Sequence, residues 1–368
     1  MKRAWESYEN WSNYQKEMFE SRKADIRAGK PMDGLDLMGA LVKGAGFSAD
    51  SPVSTEKDGK SGQLLSDDEI FGNLFVFILA GHETTANTFH YILIYLAMHP
   101  SSQRRLQREL DEIFGTRPIS DWNYDHDCPK LFGSMAGAIM NEQLRLIPPV
   151  IGIPKSTAID SPQPLTLDGR RYIVPADTKI TLNAAATGRN PRYWPTMVGP
   201  NATIEEIDED LDTFKPERWL MDPSIKKNVP KAVDTSQFKD AETEDLGGPN
   251  SADTSASLFH PVKGAYIPFS EGHRACLGRR FAQVEVLAVL AVLFRDYTIE
   301  LGTNMWCLET ELLAMDMAGR RMVWEKSRAR AADLFKNGMR PLITLQMKGG
   351  AVPLRFVKRG GERFPFEA

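Results

Sequence analysis

Apolar and polar positions recur with two different periods along this chain, and the change of period divides it. In residues 1–28, Trp5, Tyr8, Gln15/Met18 and Phe19 fall near helical spacing with charges elsewhere, which predicts an amphipathic helix packed on its own domain. Residues 44–65 are rich in Gly, Ser, Asp and Lys and read as a loop. Ser66 opens Ser-Asp-Asp-Glu, where Ser66 can cap a helix and Glu69 can return the bond. The apolar run that follows to Met98 predicts a helix of some thirty residues, roughly 50 Å long at 1.5 Å per residue. A helix of that length is expected to be central.

Pro100 opens a charged helix, Ser101 to Phe114, stopped by Gly115. Leu131 to Leu146 predicts another, halted by Pro148 and Pro149. The period then shortens. In "LTLDGRRYIVPADTKITLN", Asp168-Gly169 is a hairpin turn between short β-type runs. Residues 222–262 are rich in Asp, Ser, Thr, Pro and Gly with few large apolar side chains, and read as a long surface excursion. Leu277 to Phe294 is apolar on nearly every face, which predicts a buried helix. The tail, "PLITLQMKGGAVPLRFVKR", reads as a final β hairpin. The expected class is therefore mainly α with small β sheets.

Composition narrows the picture without naming a function. The 368 residues, 42% hydrophobic, can bury a large core, and we take 1–368 as one domain with 222–262 as an insertion in it. A net charge of -4 offers no electrostatic footprint for nucleic acid. Three cysteines argue against a disulfide framework and for a reducing compartment. Met1, Lys2 and Arg3 lead into a polar run, so no secretory signal is visible. The longest apolar stretch, Phe71 to Met98, is interrupted by His82, Glu83, Thr84 and Thr85, which favours a buried helix with a functional middle over a membrane span.

The chemistry concentrates in "FSEGHRACLGRRFA", residues 269–282. Cys276 stands alone, since the other cysteines are Cys128 and Cys307, so no CxxC clamp is available. A cysteine at a helix start meets the positive end of the helix dipole, and Arg274, Arg279 and Arg280 add positive charge; both favour an anionic sulfur. Gly272 and Gly278 let backbone approach something flat and bulky. A thiolate in such a loop suits a haem iron, with Arg274 placed to pair with a propionate. A buried structural cysteine and a Cys276–His273 nucleophilic pair are the alternatives on these residues alone.

Three further motifs lie upstream. Glu83 and Thr84, behind Ala80-Gly81, put an acid and a hydroxyl in an apolar helix where a proton could be delivered. A satisfied core carboxylate beside a back-bonded threonine is the plainer reading. "HETTA" falls short of a zinc-protease HExxH because residue 86 is Ala. Glu142 and Arg145 share one helix face, and Phe214-Lys215-Pro216-Glu217-Arg218-Trp219 follows. In this order the segments resemble those of the cytochrome P-450 family. Phe269-x-x-Gly272-x-Arg274-x-Cys276-x-Gly278 resembles its haem loop, Ala80 to Thr85 its oxygen-side helix, Glu142 to Arg145 its ExxR helix, and Phe214 to Trp219 the segment whose arginine joins that pair. The resemblance runs from about Ser66 to Arg359 and is eukaryotic and fungal-like.

The resemblance implies a P-450-like fold and a haem-thiolate monooxygenase that inserts one oxygen atom from O2 into an apolar organic substrate, a specialised metabolite or lipid. It implies haem b with Cys276 as axial metal ligand, Phe269, Gly272, Arg274 and Gly278 as cofactor-binding residues, and Glu83 and Thr84 as catalytic. Glu142, Arg145 and Arg218 would form a buried brace holding the haem loop. Electrons would come from NADPH through a flavoprotein reductase, for which Arg279 and Arg280 offer a basic docking face or a merely solvated helix end. Val76, Leu79, Ala80, Val150 and Ile151 are expected near the substrate. The implied location is the cytosolic face of the endoplasmic reticulum. Eukaryotic members carry a membrane anchor and several helices before the stretch matching Met1, so the chain reads as truncated at its front and a soluble form is left open. A truncated, non-catalytic haem-binding remnant and a reductase-independent haem-thiolate isomerase remain as alternatives, the second disfavoured by the Glu83–Thr84 pair.

Overall fold

A computed structural model describes residues 2–30, 37–44, 65–220 and 258–364. The loop expected at 44–65 and the excursion at 222–262 fall almost wholly outside the described residues. The chain divides into two compact units, Met1–Glu83 and Thr84–Ala368.

The first unit holds α1 (Lys2–Arg27), α2 (Leu37–Gly44) and the front of α3 (Asp67–Met98). Phe19, Ile26, Met38, Val42, Ile70 and Leu74 form its core, with Phe19 edge-on to Phe71 at 5.2 Å. The amphipathic reading of α1 holds, but its first turns do not belong to the packed face. Trp5 is 62% exposed and its indole donates to Glu9 at 2.8 Å, whereas Gln15, Phe19, Lys23 and Ile26 are buried. Those four follow i, i+4, i+8, i+11, and Trp5 and Tyr8 continue the same stripe but stay exposed. The expected cap at Ser66 is present in both directions. Glu69 accepts from the Ser66 backbone N–H at 2.8 Å, and the Ser66 hydroxyl oxygen accepts from the Glu69 N–H at 3.3 Å. In this unit α3 is not the buried helix its apolar run predicted, since Phe75, Val76, Leu79 and Ala80 are exposed among the described residues.

From Thr88 onward α3 is mostly buried, with Tyr91, Ile92, Ile94 and Leu96 in the main core of the second unit. Packed in that core are α4 (Pro100–Phe114), closed by Gly115 at φ 54°, then α5 (Tyr124–Phe132) and α6 (Met135–Leu146). The single helix expected over 131–146 is thus two. Gly133 and Ser134 break it, the Ser134 hydroxyl accepting from Ala136 N–H at 3.2 Å. The turn is so tight that a Cβ on Gly137 would lie 2.1 Å from the Phe132 carbonyl oxygen.

Among the described residues, four two-stranded antiparallel sheets follow. Strand β1 (Gly152–Ser156) pairs with β4 (Lys179–Asn183), enclosing the hairpin of β2 (Gln163–Leu167) and β3 (Arg170–Val174). Asp168 and Gly169 turn that hairpin with φ 47° and 76°, both left-handed as a two-residue turn requires. After α7 (Ala184–Thr187), α8 (Ile204–Asp212) and α9 (Arg279–Asp296), strand β5 (Tyr297–Leu301) pairs with β8 (Leu354–Lys358). Between them stand α10 (Glu309–Ala314), α11 (Met317–Asn337), and the short strands β6 (Met339–Pro341) and β7 (Leu345–Met347). The tail is therefore not one hairpin: β7 pairs with β6, and β8 runs back to β5. A period of two marks a strand but not its partner.

Two side-chain amides finish the open side of β5. Ile299 N–H donates to Gln103 Oε1 at 2.6 Å, Gln103 Nε2 donates to the Ile299 carbonyl at 2.9 Å, and Gln107 Nε2 donates to that of Tyr297 at 3.0 Å. An exposed strand edge is thereby converted into core. Helix α9 departs from expectation too. Its Gln283, Val286, Leu287, Leu290, Ala291 and Phe294 are buried, whereas Phe281, Val289 and Val292 are exposed. Apolar residues all round a helix do not say how many of its faces find neighbours, and among the described residues α9 is covered on one side.

At the junction of α3 and α4, Tyr95 stacks between Phe214 at 4.4 Å and Phe335 at 4.7 Å, with His99 against Phe214. Burial, aided by the charge of Arg328, pushes the His99 imidazole down to about 4 from its usual 6.5. The unfolded chain then binds a proton there that the folded chain does not, so stability declines as pH falls from 6.5 toward 4. His99→Phe should flatten this dependence, removing a slope of up to about 1.4 kcal/mol per pH unit. Urea unfolding at pH 7 and pH 5 measures it, and an unchanged slope in the variant contradicts the assignment.

Candidate functional site

Glu142, in the last turns of α6, is fully buried with Arg145 and Arg218. Arg145 Nε donates to Glu142 Oε2 at 2.7 Å and its Nη2 to Oε1 at 2.8 Å, a fork that spacing i, i+3 on a helix permits. Oε1 also accepts from Lys215 N–H at 3.0 Å and Arg218 Nε at 3.4 Å, and Oε2 from the Trp219 indole at 2.9 Å. Burial alone would push this carboxyl up. The charges and hydrogen bonds of Arg145 and Arg218 outweigh it and hold Glu142 below the usual carboxylate range.

The second arginine has a carboxylate of its own. Arg218 Nη1 donates to Asp210 Oδ2 at 2.9 Å and to the Pro195 carbonyl at 2.6 Å, and its Nη2 to the Asp210 carbonyl at 2.8 Å. Lys215 Nζ reaches Asp210 Oδ1 at 2.6 Å. Two carboxylates thus face two buried arginines, which leaves no buried charge uncompensated. The expected Glu-Arg-Arg brace is present, but it is larger than the motifs implied. Asp210, Trp219 and Trp194, whose ring lies 5.3 Å from the Arg145 guanidinium, were missed. Trp219 stands beside Arg218 in sequence and could have been suspected; Asp210, in an acidic helix, carries no local signal.

The brace connects to the cysteine loop through Tyr266. Its ring packs edge-on against Trp219 at 5.0 Å and Trp194 at 6.1 Å, and its hydroxyl donates to Asn141 Oδ1 at 3.1 Å, next to Glu142. Burial raises the Tyr266 phenol far above its usual value, so it stays a donor. Three residues on, the loop begins. Cys276 N–H donates to the Phe269 carbonyl at 2.8 Å and Ala275 N–H to Gly272 at 2.9 Å, closing a compact bend. Ser270 at φ 59° and Gly272 at φ 77° make that bend.

The loop therefore gathers Phe269, Gly272, Arg274, Cys276 and Gly278 in one place, with Gly278 directly before the first turn of α9. Cys276 and Arg274 are exposed, as are Leu277 at 78% and Phe281 at 74%. A Cβ built on Gly272 or Gly278 would meet nothing within 4 Å, so open space lies against the backbone at both. Among the described residues no group of three or more His, Cys, Asp or Glu converges, and a metal here would attach through the one sulfur. These features fit a flat metallocofactor with a single protein ligand.

Other predicted residues are distributed as follows. Glu83 ends the first unit and Thr84 begins the second, both half-buried in mid-helix, and the Thr84 carbonyl accepts from the Thr88 hydroxyl at 2.9 Å. Val150 and Ile151 are half-buried. Arg279 and Arg280 are neither free in solvent nor fully buried. Their guanidinium groups lie over Phe269 at 5.7 Å and Phe132 at 4.3 Å, and Arg280 Nη2 contacts Tyr124 Oη at 3.2 Å. A cavity of about 330 Å³ lies elsewhere, between Gln103, Gln107, Thr298, Trp324 and Arg359, and none of the predicted site residues lines it.

A mainly helical fold with small sheets, in which a buried carboxylate–arginine brace stands behind a glycine-flanked cysteine loop, defines the class of haem-thiolate proteins. Comparison with known proteins agrees: the model for the family Cytochrome P450 matches residues 1–315, and the chain belongs to that family. It is 30% identical over 300 residues to a cytochrome P450 monooxygenase of Arthrobotrys oligospora, covering 79% of this chain and 45% of that protein. The monooxygenase prx9 of Penicillium rubens is 29% identical, with the same coverage. A bifunctional cytochrome P450/NADPH–P450 reductase of Aspergillus oryzae is 28% identical over 81% of this chain and 21% of its own. The crystal structure of the cytochrome P450 CYP102L1 superposes with a TM-score of 0.56 at 19% identity, over 95% of this chain and 56% of that one. The chain spans about half the length of the curated relatives it matches.

Removing the brace carboxylate leaves Arg145 buried without a carboxylate partner, while Arg218 keeps Asp210. Glu142→Ala is expected to cost about 3 to 5 kcal/mol, read as loss of soluble protein or of the urea midpoint; a midpoint within experimental error of the parent excludes the brace as a stabilising element.

Proposed function

We propose that this chain is the haem-binding part of a monooxygenase that inserts one oxygen atom from O2 into an apolar organic substrate, a specialised metabolite or lipid. The observation that carries the reading is the exposed Cys276 on a bend with open space at the Gly272 and Gly278 backbones, braced from behind by Glu142. Haem, when bound, supplies activation of O2 by electrons that a separate NADPH-dependent flavoprotein reductase delivers. Cys276 provides the one ligand atom. Gly272 and Gly278 leave room for a planar ring, Phe269 supports the bend, and the exposed Arg274 can pair with a propionate.

Glu83 and Thr84, neighbours in the middle of α3, are the acid and hydroxyl that hold and pass a proton. Val150 and Ile151, half-buried just after α6, supply apolar surface for substrate. The relatives named monooxygenases support this reading, and the fused reductase of the Aspergillus oryzae relative supports a flavoprotein as electron donor. The location that follows is the cytosolic face of the endoplasmic reticulum. Among the described residues no helix is long and apolar enough to cross a membrane.

The reduced carbon-monoxide spectrum of the purified chain tests the ligand: a red-shifted Soret band is expected, and Cys276→Ala should abolish it. Persistence of the band in that variant would falsify the assignment. Thr84→Ala is expected to keep haem content while reducing equivalents from NADPH appear as peroxide rather than product, which a coupled peroxide assay measures; fully coupled turnover removes Thr84 from the proton path.

A further inference from the structure

The cavity of about 330 Å³ between α4, β5, α11 and the end of the chain falls in the range that holds small ligands, roughly 300 to 1,000 Å³. No residue of the cysteine loop lines it, and Trp324, Arg359, Glu362 and Phe364 of its wall lie beyond residue 315, where the family match ends. Ala97, Pro100, Ile299, Trp324 and Phe364 supply its apolar surface. Much of its polar wall is already satisfied within the chain. The amides of Gln103 and Gln107 are occupied at the edge of β5, and the Thr298 hydroxyl donates to Glu362 Oε1 at 2.8 Å. A ligand therefore gains little from polar atoms of its own there and more from covering apolar surface.

Charge decides what else the ligand must carry. Arg104, Arg108 and Arg359 line the cavity against Glu300 and Glu362. Arg359 forks onto Asp111 at 2.7 and 2.8 Å, and Arg363 Nε donates to Glu300 at 2.7 Å, so those two pairs close among themselves. Burial alone would push Glu362 up, but hydrogen bonds from the Thr298 hydroxyl and the Gly360 N–H hold it below its usual range, and it stays charged. Three arginines against two glutamates leave one positive charge, and the partners Asp111 and Arg363 do not alter that balance. The excess has a location. Arg108 is exposed, and among the described residues no carboxylate pairs with it: Glu109 is bonded to Arg105 at 3.0 Å, Asp111 to Arg359, and Glu112 does not line the cavity. Arg104, one helical turn earlier on the same face, adds to the positive field at that point.

We propose that this cavity binds a small apolar monocarboxylate, its ring or chain against Ile299, Trp324 and Phe364 and its carboxylate paired with Arg108. The assignment is independent of the haem chemistry proposed above. Isothermal titration calorimetry of the full chain with 2-naphthoate, and with its neutral amide, tests it. The acid is expected to bind roughly tenfold tighter than the amide or better. Arg108→Gln, a change at an exposed side chain, should abolish that preference and leave the melting temperature as it was. Ala97→Leu extends a side chain into the cavity and should weaken both probes by roughly tenfold or more. Arg171→Gln on β3 should leave both affinities unchanged. Arg108→Gln decides the assignment even where Ala97→Leu does not fold. Binding of neither probe, equal affinity for acid and amide, a preference for the acid that Arg108→Gln retains, or undiminished binding by folded Ala97→Leu each overturns the proposal.

Discussion

A carboxylate with no access to water is the constraint on which the second unit is built. Glu142 can remain ionised there only while Arg145, Arg218, Lys215 N–H and Trp219 all point at its two oxygens. Those donors come from α6 and from the segment after α8, so the charge forces two stretches some seventy residues apart into one arrangement. Arg218 is held from its other end by Asp210, which prevents the second arginine from becoming an uncompensated charge in turn. Such a cluster specifies geometry more than it adds net stability. Any other packing of these segments would strand a charge in the core.

The cysteine loop gains its position from this cluster through aromatic packing. Tyr266 stands against both brace tryptophans and is bonded to Asn141, the residue before Glu142. From there the bend at Ser270 and Gly272 carries the chain to Cys276 at the foot of α9. Rigid support behind and open backbone in front are what a planar ligand with one axial bond requires. Arg279 and Arg280, stacked on Phe269 and Phe132, make the loop's far end part of the same packed layer.

The C-terminal region is assembled differently. Strand β5 has β8 on one side and the amides of Gln103 and Gln107 on the other, so a helix side chain completes what another strand would elsewhere. Helices α10 and α11 enter between these two strands without disturbing their register, Tyr297 still meeting Lys358 and Leu301 meeting Leu354. An addition of this kind is tolerated because its ends return to positions the sheet already sets.

Local chemistry made much of this legible in advance. The Ser66–Glu69 cap, the Pro100 start and Gly115 stop of α4, and the Asp168-Gly169 turn depend on residues within a few positions of one another, and a short-range reading reached them. So did the composition of the cysteine loop and the pairing of Glu142 with Arg145 one helical turn away. What depends on distant partners was not legible. The pairing of β8 with β5, the exposed side of α9, the unpacked Trp5 and the role of Asp210 all follow from which segments meet in space, whereas the break at Gly133-Ser134 had a local cap signal that the reading passed over. Periodicity states that a side chain seeks burial, whereas only the assembled neighbours determine whether that burial is granted and by whom.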